Sequence, residues 1–189
     1  GKDPETAALQ DLLVEVCKKI SEKAHALRLD GKTTRDADLF VMKGLFTTVT
    51  NVNFNAKDIA GIISRGLKLG SELGVECDKE MPKDLDAMIS LGEQVGIESR
   101  LNTLGEDITG LQELILYGIK GTAAYADHAF VLGKEDDSVF AFFHEALAFL
   151  LNPAPTVDEL VGYALKTGEV NLTVMQLLDE ANTGTYGHP

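Results

Sequence analysis

The side chains able to do chemistry are few and scattered. Of the four histidines, His25, His128, His144 and His188, no two stand at a metal-binding helical spacing with further ligands nearby. His144-Glu145 is followed by Ala148 where a helical metalloprotease motif needs its second histidine. His25 and His128 lie near helix ends at close to equivalent places in two similar segments, and read as surface or helix-dipole partners. The two cysteines, Cys17 and Cys77, are too few for a four-cysteine iron–sulfur cluster. Cys17 falls on an apolar stripe and reads as a small buried hydrophobe. Cys77 sits between Glu76 and Asp78, whose charges disfavour a thiolate. The sequence leaves a disulfide between the two open, although it would be unusual in a cytoplasmic protein.

The carboxylates run in polar stretches, Glu135-Asp136-Asp137 and Asp78-Lys79-Glu80, where solvation leaves them ordinary acids. The first run lacks the glycine and the twelfth-position Glu of a calcium loop. No P-loop, dinucleotide fingerprint or nucleophile elbow is present. No catalytic, cofactor-binding or metal-ligating residue is therefore assigned. The residues singled out are Tyr186 and His188, beside Gly184 and Gly187 in a segment that reads as a tight exit turn with both glycines left-handed. Facing a neighbouring domain, these two side chains would supply interdomain hydrogen bonds.

The elements that must position these residues repeat. Leu9 to Lys32 and Leu111 to Lys134 align without a gap, with identities at Leu9/Leu111, Gln10/Gln112, Leu12/Leu114, Lys18/Lys120, Ala24/Ala126, Gly31/Gly133 and Lys32/Lys134. This has the form of an internal duplication. Leu9, Leu12, Leu13, Val16, Cys17, Ile20, Ala24 and Leu27 recur every three or four residues and make one helical stripe. Leu111, Leu114, Ile115, Ile119, Thr122 and Ala126 do the same. Pro4 suits a first helical turn, and Gly31 and Gly133 suit helix ends.

A second periodic segment follows in each copy, Ala37 to Val49 and Val139 to Leu151. Third helices begin near Lys57 and Val157, with Asn55 and Thr156 as N-caps. Lys83 to Val95 adds a further helix. Gly66, Gly70 and Gly74 share one face and predict close helix packing. No alternating β-branched run occurs. The expected fold is all-α: two tandem three-helix bundles, with residues 1–95 as the first bundle and its extra helix, 96–110 a linker, 111–181 the second bundle and 182–189 an exit turn.

The chain has 189 residues, 44% hydrophobic and 25% charged, the composition of an ordinary globular protein. Its net charge of −13 would repel a phosphate backbone and excludes nucleic acid and anionic membrane surfaces as natural partners. It would welcome a basic electron-transfer protein. No apolar run spans a bilayer and the start has no signal-peptide pattern, so the expected location is cytoplasmic. The abrupt ends read as cut from a longer polypeptide.

Five strings carry a family resemblance in order along nearly the whole chain. They are Gly1-Lys2 with Pro4 to Leu12, Thr47 to Phe54, Gly118 to Ala126, Leu165 to Glu169, and Ala181 to Pro189. Together they resemble the N-terminal helical domain of the hybrid-cluster (prismane) proteins, or hydroxylamine reductases. The carbon monoxide dehydrogenases fit these strings less well. The resemblance implies a parent oxidoreductase that reduces hydroxylamine to ammonia and water and is linked to nitric oxide and nitrosative stress.

It also implies a cubane iron–sulfur cluster and a hybrid iron–sulfur–oxygen cluster in that parent. Their ligands would lie before Gly1 and after Pro189, leaving no cofactor in these 189 residues and an inactive scaffold. The partners would be the cluster-bearing domains of the same protein and an electron-transfer protein. The alternative is a stand-alone helical interaction module with no redox chemistry.

Overall fold

A computed structural model describes residues 3–49, 52–75, 82 and 84–188. Cys77, the Asp78-Lys79-Glu80 run and part of the Thr47–Phe54 string lie outside the described residues. Among those described there are eight helices and no strand: α1 (Pro4–Leu29), α2 (Arg35–Thr47), α3 (Ala56–Leu73), α4 (Leu85–Val95), α5 (Ile97–Leu104), α6 (Glu106–Val131), α7 (Asp137–Phe149) and α8 (Val157–Tyr186). The fold is all-α, as the helical periodicity predicts.

Local chemistry explains most boundaries. Asp3 caps α1 by accepting the Thr6 N–H at 2.9 Å, with Pro4 in the first turn. Asn55 caps α3, and Thr156 with Glu159 forms a reciprocal capping box on α8. Gly31 and Gly133, at φ +72° and +82°, end α1 and α6 in the same manner. In both, the next lysine N–H returns to a carbonyl five residues back, Lys32 to Leu27 and Lys134 to Ala129. The bounds of α6 and α7 are those of α1 and α2 displaced by the Leu9-to-Leu111 spacing.

Several boundaries differ from expectation. Helices α2 and α7 start two residues early, at Arg35 and Asp137, because the acidic links complete their first turns, where negative charge favours the helix dipole. The expected linker 96–110 is mostly helix, with α5 at 97–104 and α6 starting at Glu106. Gly105 at φ +81° makes the break between them. Arg100 fixes α5 to α6 through the Gln112 and Glu113 side chains. The expected exit turn 182–189 is helical up to Tyr186. Gly184 stays in the ladder, and only Gly187, at φ +80°, turns the chain.

The packing runs across the duplication. Helix α1 lies against α2, α3, α4 and α7, whereas α6 lies against α8, α2 and α5. Each long helix thus carries the second helix of the other copy, and α6 makes no comparable contact with its own α7. One continuous core results, including Leu9, Leu13 and Ile20 of α1, Leu45 of α2, Ile63 of α3, Ile119 of α6, Phe143 of α7 and Leu160 of α8. The division at 1–95 and 111–181 follows the sequence repeat; the buried surface ignores it.

Gly66 lets α3 approach α1 and α2: a Cβ there would collide with Phe40 and Val16. Gly121, in the middle of α6, has nothing within 4 Å of the corresponding position. Gly66→Ala is expected to cost about 1–3 kcal/mol by overpacking. Gly121→Ala is expected to gain up to about 1 kcal/mol of helix propensity. Urea denaturation of the two variants checks the opposite signs.

Candidate functional site

The densest polar constellation is buried where α1, α2 and α7 meet. His144 of α7 is fully buried, its Nε2 2.9 Å from Asp38 Oδ1 on α2 and its Nδ1 3.0 Å from Ser21 Oγ on α1. Thr34 Oγ1 donates to the same Asp38 oxygen at 2.8 Å, and Arg28 Nη2 reaches Asp38 Oδ2 at 3.2 Å. Arg28 also grips Asp137 at the start of α7, with Nη2 to Oδ1 at 2.7 Å and Nη1 to Oδ2 at 3.0 Å.

Burial pushes the His144 pKa below its ordinary 6.5, so the ring is neutral near pH 7. Burial alone would raise the Asp38 carboxyl. The bonds from His144 and Thr34 and the charge of Arg28 outweigh it and hold the pKa below 3.8. Asp38 therefore stays a carboxylate that only accepts, which puts the imidazole proton on Nε2 and leaves Nδ1 to accept the Ser21 hydroxyl.

Serine, histidine and aspartate in hydrogen-bonded series have the composition of a nucleophilic triad. Here the serine is fully buried, as is the histidine, so no substrate reaches the hydroxyl. The constellation is a cross-brace in which Ser21, Thr34, Asp38 and His144 satisfy one another, while Arg28 Nε is buried without a hydrogen-bond partner. Sequence reading missed it. Ser21, Asp38 and His144 sit on three helices, and no short-range spacing joins them.

The residues the sequence singled out lie elsewhere. Tyr186 ends α8 with 75% of its surface exposed, and His188 is exposed beyond Gly187. Neither meets the cross-brace. Cys17 is buried in the core, its thiol pushed up to about 12 by burial. His128 is exposed and stacks edge-on with Phe46 at 5.5 Å. The Glu135-Asp136-Asp137 run is spent locally: Glu135 pairs with Arg35 at 2.8 Å, Asp136 caps α7 and Asp137 holds Arg28.

Among the described residues, no three His, Cys, Asp or Glu side chains converge as a metal ion requires. Cys17, protonated in hydrocarbon, is a poor iron–sulfur ligand where it stands. No helix in the described residues is long and apolar enough to cross a membrane.

An apolar groove of about 630 Å³ runs between α6 and α8. Leu114, Tyr117 and Tyr125 form one wall, Ala164 and Leu165 the other, with Gly121 and Gly168 among the lining residues. Leu114, Tyr117 and Leu165 are 59%, 66% and 68% exposed and line one groove together, a contiguous apolar patch rather than scattered single residues. At the base, Gly118 lets α8 come close, since a Cβ would stand 2.7 Å from Thr167 Cγ2. Two of the strings singled out in the sequence, Gly118–Ala126 and Leu165–Glu169, converge on this groove.

The model of the Prismane/CO dehydrogenase family matches residues 1–189. A hydroxylamine reductase of Methanocella arvoryzae is 44% identical over 203 aligned positions, covering 100% of this chain and 37% of the relative. Those of Rhodospirillum rubrum and Bacteroides fragilis (strain YCH46) are each 42% identical over 100% of this chain, which is 38% and 36% of their own lengths. The chain thus spans little more than a third of the curated relatives it matches.

The cross-brace predicts two outcomes. Asp38→Ala takes the buried partner from Thr34 and from His144 Nε2 and leaves Arg28 with Asp137 alone; it is expected to cost about 3–5 kcal/mol in urea denaturation. Because the His144 pKa is lower folded than unfolded, its contribution is complete above its ordinary 6.5 and is lost as pH falls. Asp38 and Asp137, also depressed, keep theirs until pH falls below 3.8. Melting temperature should drop between about pH 7.5 and about pH 5.5 in the native chain, and His144→Met should flatten that slope.

Proposed function

Because the chain belongs to the Prismane/CO dehydrogenase family, we propose that it is the helical scaffold of an iron–sulfur oxidoreductase of the hydroxylamine reductase type. The whole protein takes two electrons and two protons to each hydroxylamine and releases ammonia and water. In the cell this chemistry serves nitrogen metabolism and the response to nitric oxide and nitrosative stress, in the cytoplasm. The cubane and hybrid clusters supply the electron transfer and the N–O cleavage, and both are held by polypeptide beyond these 189 residues.

The observation that carries the reading is the uncovered apolar groove between α6 and α8. A chain that forms about a third of its relatives' length needs a surface on which the rest is seated, and an apolar face of this exposure supplies it. The chain's own work is mechanical: the cross-brace locks α1, α2 and α7, so the groove and the exposed end of α8 keep a fixed relation to what is built on them. Tyr186 and His188 stand at that end, suited to hydrogen bonds with the adjoining domain. The net charge of −13 favours approach of a basic electron carrier. A stand-alone binding module would use the same groove, but the three relatives named above, hydroxylamine reductases of greater length, favour the first reading.

Iron and acid-labile sulfide, measured anaerobically with mass confirmation, are expected near zero for the 189-residue chain and at several irons per molecule for the full-length polypeptide. The full-length protein should consume a reduced dye when hydroxylamine is added, while the 189-residue chain should not. Several irons bound to the short chain, or no hydroxylamine-dependent oxidation by the long one, would overturn the reading.

A further inference from the structure

The duplication says what fills the groove. In the first copy, α4 lies along α1, its Gly92 so close to the Ala8 carbonyl that a Cβ would collide with it. Gly96, just beyond the end of α4, stands beside the Asp11 carboxylate, at 3.1 Å from its Cβ position. Leu91 of α4 shares an apolar hollow with Leu12, Glu15 and Val16 of α1 and with Gly66 of α3. Under this cover Leu12 is 4% exposed.

Carried across by the Leu9-to-Leu111 spacing, the α1 positions Ala8, Asp11, Leu12, Glu15 and Val16 become Gly110, Glu113, Leu114, Tyr117 and Gly118 of α6, and Gly66 becomes Gly168 of α8. Leu114, Tyr117, Gly118 and Gly168 line the open groove. The same leucine that α4 buries in one copy is 59% exposed in the other. The α1–α3 and α6–α8 pairs are equivalent, but among the described residues the second has no counterpart of α4. Helix α5 touches α6 through Arg100 at Gln112 and Glu113 and leaves Leu114 and Tyr117 uncovered.

We propose that the α6–α8 groove is the seat of one amphipathic α-helix, docked as α4 is docked on α1 and supplied by the same polypeptide outside these 189 residues. This rests on the reading that the chain is one part of a longer reductase, whose relatives have nearly two-thirds of their length elsewhere. The occupant carries apolar residues three and four apart, which meet Leu114, Tyr117 and Leu165. A small residue faces the α6 backbone at Gly110, as Gly92 faces Ala8. Gly110, Gly121 and Gly168, whose Cβ positions meet nothing within 4 Å in this chain, then leave room for a close helix–helix approach that alanine would obstruct. A helix-interior glycine with open space around it otherwise weakens its helix for no local return.

The test is photo-crosslinking in the full-length protein with p-benzoylphenylalanine in place of Tyr117, the products mapped by peptide mass spectrometry. Placing the same group at Glu15 is the internal standard, which should link to α4. Tyr117 is expected to link within the molecule to one segment outside residues 1–189 that has helical apolar spacing. Leu114→Glu should reduce that link at least tenfold while leaving the melting temperature of the 189-residue chain unchanged.

A link to a second copy, to a segment without helical periodicity, or to no protein while the Glu15 standard succeeds would overturn the helix proposal. Iron content and hydroxylamine-dependent dye oxidation are measured on the same samples. If both are normal and Tyr117 stays unlinked, only the helix proposal fails; if both are absent, the scaffold reading fails with it.

Discussion

The fold rests on burying two similar helical segments in one core, and His144 is the buried polar side chain that ties one to the other. It belongs to the second copy but makes both of its hydrogen bonds to the first, to Ser21 on α1 and Asp38 on α2. Each of those groups would be costly to bury alone. Here they are satisfied by α7 lying on α1. The polar network is matched to this pairing of helices, in which its buried groups find one another.

The two halves of the duplication solve this junction with different chemistry. Around the first long helix the bracing residues are Ser21, Arg28, Asp38, Asp137 and His144. Their equivalents by the repeat spacing are Ala123, Phe130, Phe140, Arg35 and Met42. There Arg35 lies 5.6 Å from the Phe130 ring centroid and 5.8 Å from that of Phe140, while Ala123 and Met42 are fully buried. An ion-pair cluster on one side therefore faces a cation–aromatic and hydrocarbon cluster on the other. The backbone geometry persists because helix bounds and caps are retained, not because the packed side chains are.

The halves also differ in what they leave exposed. In the first copy the long helix is covered on four sides, and its apolar stripe is spent. In the second, one flank of α6 and the facing strip of α8 stay open, rimmed by tyrosine and leucine and lined by small residues. The extra helix on one and the open groove on the other make the two similar halves unequal, one long helix closed over and the other left open along one flank.

The sequence by itself determined the helices, because their causes are local: the 3.6-residue stripe from Leu9 to Leu27, the caps Asn55 and Thr156, and the glycines at 31 and 133. It also determined the family, through collinear strings, and the burial of Cys17. It misplaced α5, whose eight residues follow Gly96 and bury no side chain of their own, and the end of α8, where Gly184 looked like a turn but lies inside a helix. Only the tertiary structure decided which helices pair, because apolar stripes carry no address. It alone brought Ser21, Asp38 and His144 together, three residues more than a hundred positions apart at the extremes whose union depends on that pairing. It alone showed Leu12 buried and Leu114 exposed, since identical residues at equivalent positions differ only in what is packed against them.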